Sequence, residues 1–157
     1  MIATTHDIKG KLIIQKFDTD GNLVDEKTTF NSITTAGRRL VADLFKFNML
    51  DSQDDKIKRI SWIHLGRSNA PFKPEHTELQ DHVGRTKINS VEYVPTGNDR
   101  VSMRLVGELG TQDCNAELKE AGLFTDDAKP VMYNRVIFDT ITKSDKFKLT
   151  LIWELTF

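Results

Sequence analysis

The feature that most constrains this sequence is its final apolar run. Phe147, Leu149, Leu151, Trp153, Leu155 and Phe157 occupy six successive odd positions, with Lys146, Lys148, Thr150, Ile152, Glu154 and Thr156 on the even ones. An apolar period of two gathers these side chains on one face of a β-strand, whereas a helix would scatter them around its circumference. Full burial of the six would contribute roughly 9–18 kcal/mol, at about 1.5–3 kcal/mol per side chain, as an upper bound. Ordering about ten residues of backbone costs about 1–2 kcal/mol each, which is comparable. The strand therefore holds only inside a sheet whose other members cover its apolar face.

The segments before it supply such members. From Arg59 onward, strand patterns recur with turn signals about every ten residues. Ile60 to Leu65 is a short run closed by Gly66. Arg85 to Val94 and Arg100 to Leu109 flank the hairpin signal Pro95-Thr96-Gly97-Asn98-Asp99, with Val101, Met103 and Leu105 alternating on one face. Ala116 to Phe124 and Val131 to Phe138 read as two more strands. Gly66 to Gly84, which contains Pro71 and Pro74, reads as a long excursion with one helical turn near Leu79.

Toward the amino terminus, Asp7 to Phe17 and Leu23 to Phe30 read as strands of a β-hairpin around Asp18-Thr19-Asp20-Gly21-Asn22, whose residues tolerate positive φ. The spacing of Asp18, Asp20 and Asn22 also suits the start of a calcium loop. Position six would then be Leu23 instead of glycine and position twelve Thr29 instead of glutamate, so the turn is the better account. One helix is expected, from Thr34 or Thr35 to about Phe47, capped by a threonine and turning Leu40, Val41, Leu44 and Phe45 toward a core. Asn48 to Lys58 reads as an exposed polar loop.

At 157 residues, with 38% hydrophobic and 29% charged residues, this is a single-domain length of ordinary globular composition. The formal net charge of -1 lacks the basic excess of a dedicated nucleic-acid binder. No run of signal-peptide or transmembrane type is seen, so no membrane partner is expected. The single Cys114 excludes an internal disulfide.

Candidate chemistry is sparse. His76 and His82, in Glu75-His76-Thr77-Glu78-Leu79-Gln80-Asp81-His82, are six residues apart and do not share a helical face, so a solvated loop is preferred to a metal site. His6 and His64 stand alone in sequence; His64 shares a strand face with Ile60 and Trp62. Ser32, Ser61, Ser68, Ser90, Ser102 and Ser144 lie in no nucleophile motif, and Asp113 beside Cys114 disfavours a thiolate. The acid pairs Asp54-Asp55 and Asp126-Asp127 read as turn residues rather than a glycosidase pair. Trp62 and Phe72 are weighed as sugar-stacking or subunit-contact aromatics: Trp62 is expected in the core, Phe72 at an interface. No catalytic residue, cofactor or metal is expected.

Several stretches together resemble phage tail, baseplate and fibre-attachment proteins. They are Asn31-Ser32-Ile33-Thr34-Thr35-Ala36-Gly37-Arg38 leading into Leu40-Val41-Ala42-Asp43-Leu44-Phe45, then Ile60-Ser61-Trp62-Ile63-His64-Leu65-Gly66. Ala121-Gly122-Leu123-Phe124, Met132-Tyr133-Asn134-Arg135 and the ending from Ile141 complete the set. The resemblance implies a mainly β fold, an antiparallel β-sandwich with one amphipathic helix packed on it, used as an oligomerising or docking module and carrying no catalytic residues. The amino-terminal hairpin, residues 1–30, precedes that module, residues 31–157, within one domain.

The resulting expectation is a structural component of a virion tail, baseplate or collar, assembled in the host bacterial cytoplasm. It would oligomerise on a symmetric particle and dock fibres or other virion proteins. The alternative is a carbohydrate- or receptor-binding module of a tail fibre. Edge strands of a fold this size need charges, bulges or a partner. Leu12, Ile14 and Phe17 of the hairpin and Arg67 and Phe72 of the excursion are accordingly the candidate interface residues.

Overall fold

The computed structural model describes residues 8–45, 58–97, 99–126 and 128–157. Its elements are β1 (Lys9–Asp18), β2 (Leu23–Phe30), β3 (Ser32–Ile33), α1 (Thr35–Asp43), β4 (Ile60–Gly66), β5 (His82–Val94), β6 (Ser102–Leu109), β7 (Glu117–Thr125), β8 (Asn134–Thr142) and β9 (Phe147–Thr156). The nine strands form one antiparallel sheet in the order β2-β1-β9-β6-β5-β4-β7-β8-β3. The fold is thus mainly β with one short helix and an amino-terminal hairpin. The sheet curls into a nearly closed barrel where two separate layers were expected.

The reason is β5. Its first half pairs with β4 and its second half with β6, with a register break between Ile88 and Ser90. An extra residue on one strand of a pair bends that strand and increases the local twist. Through that bend a single sheet turns back on itself, and both of its walls contribute to one core. Leu12, Leu105 and Leu151 from one wall share that core with Ile63, Leu123 and Val136 from the other.

The alternating run lies at the centre of one wall, with β9 between β1 and β6. Leu149, Leu151, Trp153 and Leu155 are 1%, 0%, 0% and 5% exposed, as the period of two requires. Phe157, beyond the end of the strand, is 47% exposed.

Closure comes from an unusual neighbour relation. The two ends of the sheet, β2 and β3, are separated in the chain only by Asn31. The same extended segment leaves β1 and joins β8, where Ser32 and Ile33 pair with Arg135 and Asn134. Across the remaining seam Thr29 Oγ1 donates to the Ile137 carbonyl at 2.9 Å.

The helix is shorter than its pattern predicts. Thr34 Oγ1 accepts from the Gly37 amide at 2.9 Å and donates to the Met132 carbonyl at 2.7 Å, which caps α1 and pins it to the segment just before β8. A Cβ at Gly37 would collide with the Tyr133 carbonyl. Leu40 and Val41 pack on the core. Leu44 and Phe45, expected on the same buried side, are 62% and 85% exposed. Phe47, Asp54 and Asp55, together with His6, Asn98 and Asp127, lie outside the described residues.

Two local readings are revised. The break in pairing between Ile60 and Trp62 is a bulge, and it separates the faces of these two residues. Ile60 packs on the main core, whereas Trp62 joins Leu79, Phe124 and Met132 in a small second cluster. The excursion has a turn at residues 74–75 and no helical turn at Leu79.

Candidate interaction surface

The excursion is held by a buried charge node. Glu120 lies on the outer face of β7, opposite Ala121 and Leu123 in the core. Its carboxylate accepts from the amides of Asp81 at 2.7 Å, Gln80 at 3.1 Å and Ser68 at 3.3 Å. Arg135 of β8 donates its Nε to Glu120 Oε2 at 2.7 Å and its Nη1 to the Ala70 carbonyl at 2.8 Å. Both side chains are 0% exposed. An unpaired charge at such depth would be prohibitive, and here each is met by an opposite charge and by backbone groups. Close packing surrounds the node: a Cβ at Gly66 would collide with the Glu120 carboxylate, and one at Gly122 would come 2.6 Å from the Asn134 carbonyl oxygen. Several residues that carried the resemblance therefore meet at one structural junction.

The candidate interface residues fall into two groups. Leu12 and Ile14, at 0% and 1% exposure, are committed to the core of their own chain, because β1 pairs with both β2 and β9. Phe17, near the hairpin turn, is half-buried. Arg67 is exposed and forms a two-point contact with Asp81, Nε to Oδ2 at 3.1 Å. Half-buried Phe72 sits beside Ile8, Asn31 and Arg38 at a cleft of about 290 Å³, with the His76 ring 6.1 Å away. The structure does not bring the two groups together.

Sequence reading missed the convergence of His64 and His82. Their rings are 5.1 Å apart, and His64 stacks on Phe124 at 3.8 Å. His64 is 7% exposed, and its Nε2 has no hydrogen-bond partner among the described residues. Burial, and then the neighbouring His82 and Arg85, lower its pKa to about 4. Arg85 lies 3.9 Å over the Trp62 ring, whose Nε1 donates to Asp126 at 2.9 Å. Among the described residues, no group of three or more His, Cys, Asp or Glu could hold a metal ion.

At the Asp18 turn, one carboxylate oxygen accepts from the amides of Asn22 at 2.9 Å and Asp20 at 3.0 Å. The Asn22 amide holds that carboxyl below its usual range. The turn is thus closed by its own backbone. Burial, followed by the charge of Asp113, pushes the Cys114 thiol up, away from a thiolate.

The most exposed apolar surface lies at one open end of the barrel. Leu40 of α1 and Leu44 just beyond its end face Val91, Met103, Leu155 and Phe157 across a groove of about 410 Å³. Val91, Tyr93, Val101 and Phe157 are 57%, 73%, 52% and 47% exposed. Strand register keeps them together, since Tyr93 pairs with Met103 and Val91 with Leu105, and Val101 exchanges backbone hydrogen bonds with Phe157. Lys58 and Arg59 stand at the rim. Such a surface can exclude water against an apolar partner.

Fold and surface together define a nine-stranded, barrel-like antiparallel domain with an apolar mouth. Comparison with family models, curated proteins and solved structures finds no match.

Proposed function

We propose that this chain is a non-enzymatic structural subunit of a bacteriophage tail, baseplate or collar, which self-associates and docks fibres or neighbouring virion proteins. The observation that carries the reading is the crowding of exposed apolar residues at the open end. Of the nine exposed large hydrophobics among the described residues, Leu44, Val91 and Phe157 line the groove, and strand register sets Tyr93 and Val101 beside it. Single exposed hydrophobics need no explanation, whereas a contiguous set points to a partner. The sequence resemblance supplies the kind of particle. Against a sugar-binding role, the Trp62 ring that would stack on a sugar is already covered by Arg85.

The test is Tyr93→Lys with Val91→Lys in the assembling system. Both positions are exposed, so the variant should keep its melting transition and fail to enter particles. Normal incorporation of a folded variant would sink the reading.

A further inference from the structure

The excursion between β4 and β5 covers part of the outer face of the sheet, and a histidine lies under the cover. Leu79, 5% exposed, closes the small second cluster with Phe124 and Met132. It lies over Gly122, where a Cβ would come 3.4 Å from the Leu79 Cδ2. Gly122 is the register partner of His64. His64 is flanked in turn by Phe124, stacked on it at 3.8 Å, and by His82, where the excursion ends and β5 begins, at 5.1 Å.

A proton on His64 would find no counter-charge. The two charged neighbours that act on it, His82 and Arg85 of β5, both oppose a further cation. Arg85 is itself held 3.9 Å over the Trp62 ring. On β7, Glu120 is committed to Arg135, and past the end of β7 Asp126 accepts from Trp62 Nε1. In the excursion Asp81 pairs with Arg67, while Glu75 and Glu78 are exposed. His64 Nε2 has no acceptor among the described residues. An imidazolium left in this position would be a buried and unpaired charge.

The cover is the part able to yield. β4, β5 and β7 are joined by ladders, whereas the excursion contains no helix or strand and is fastened at its ends. There the Arg67 amide donates to the Asp81 carbonyl at 2.9 Å, and the Gln80 and Asp81 amides donate to Glu120. The cluster that Leu79 closes is also separate from the main core. We infer that residues 67–81 form an acid-released strap: protonation of His64 drives Leu79 and His82 away from β4 and bares Phe124 and Met132 while the barrel stays folded. At neutral pH the bonds to Glu120 keep the strap closed. Opening solvates His64, so the open form takes up the proton that the closed form resists, and opening grows as the pH falls below about 6.5.

Native-state hydrogen exchange tests this, read at the amides of Arg67, Gln80 and Asp81, with those of Leu151 and Trp153 reporting on the barrel. The strap amides are expected to exchange faster than the barrel amides and with little dependence on denaturant, as a local opening requires. After correction for intrinsic rates, their opening constant is expected to rise about twentyfold from pH 7 to pH 5, the linkage for an imidazole of pKa 6.5 in solvent and about 4 under the strap. In His64→Phe, which keeps a ring on Phe124 and cannot titrate, the rise should disappear. Should that variant fail to fold, His82→Gln at an exposed position takes its place; it removes one of the two opposing charges and should give a smaller rise than the wild type.

An undiminished rise in the folded variant would overturn the inference. So would a wild-type strap whose protection is unchanged between pH 7 and pH 5, or strap amides that exchange at the rate and with the denaturant dependence of the barrel. None of these outcomes touches the assembly reading, which rests on the other surface at the barrel mouth.

Discussion

Arg135 Nε and Glu120 Oε2 lie 2.7 Å apart, and neither side chain has any exposed surface. The pair joins β8 to β7, and its remaining valences hold a segment distant in sequence. Through Glu120 the amides of Ser68, Gln80 and Asp81 have an acceptor, and through Arg135 the Ala70 carbonyl has a donor. The excursion after β4 is consequently fixed at both of its ends by one carboxylate.

Removing either partner should therefore be severe. Arg135→Met leaves a buried carboxylate without its cation, and a loss of about 3–5 kcal/mol is expected from denaturant midpoints. Replacing the pair together, as in Glu120→Leu with Arg135→Met, should not restore stability, because three backbone amides still lose their acceptor. Limited proteolysis should then cut between Arg67 and Asp81. A double variant as stable as the wild type would show that the loop does not depend on the node.

His64 should make the fold sensitive to acid. Its folded pKa of about 4 is below the ordinary 6.5, so the unfolded chain takes up a proton that the folded chain resists. Its contribution is fully present above about pH 6.5 and is lost as the pH falls toward 4. His64→Phe keeps a ring to stack on Phe124 and removes the titration. The fall in melting temperature between pH 7 and pH 4 should be smaller for this variant, and an unchanged fall would exclude His64 as its source.

Trp153 is fully buried, and its register partners are Leu12 on one side and Leu105 on the other. Trp153→Ala should cost about 3–5 kcal/mol by opening a cavity between them. Trp153→Phe should cost distinctly less, because the indole Nε1 has no acceptor among the described residues and little hydrogen bonding is lost. Chemical denaturation of the two variants gives the comparison; equal losses would mean that the indole N–H is satisfied in solution.

Deleting residues 1–30 should abolish the cooperative melt. The deletion removes Leu12 and Ile14 from the core and exposes the whole edge of β9. A truncated chain that melts cooperatively would show the hairpin to be an appendage.

The β character of the chain was readable because alternation is a local signal. The strand at Phe147–Thr156 and the hairpin turn at Asp18 to Asn22 need only neighbouring residues to declare them. The curl of the sheet was not readable, since it depends on a register break at Ile88 to Ser90 that leaves no mark in apolar spacing. Trp62 was misplaced for a related reason: a bulge after Ile60 breaks the alternation on which its assignment rested. Glu120, Arg135 and the pairing of His64 with His82 depend on which strands become neighbours, and that information is spread over the chain. The helix pattern identified α1, but periodicity alone could not show that Leu44 and Phe45 would remain exposed.

The pairing of β1 with β9 also sets an order of events during synthesis. Lys9 to Asp18 must wait for Phe147 to Thr156, and the intervening chain takes on the order of ten seconds to translate at about 5–20 residues per second. Until then Leu12 and Ile14 lack the partners that bury them, and the nascent chain is open to misassociation. The groove at the barrel mouth, which includes Leu155 and Phe157, is likewise completed only once residues 155–157 have been made. A nascent chain that has not yet reached Leu155 consequently presents no finished groove.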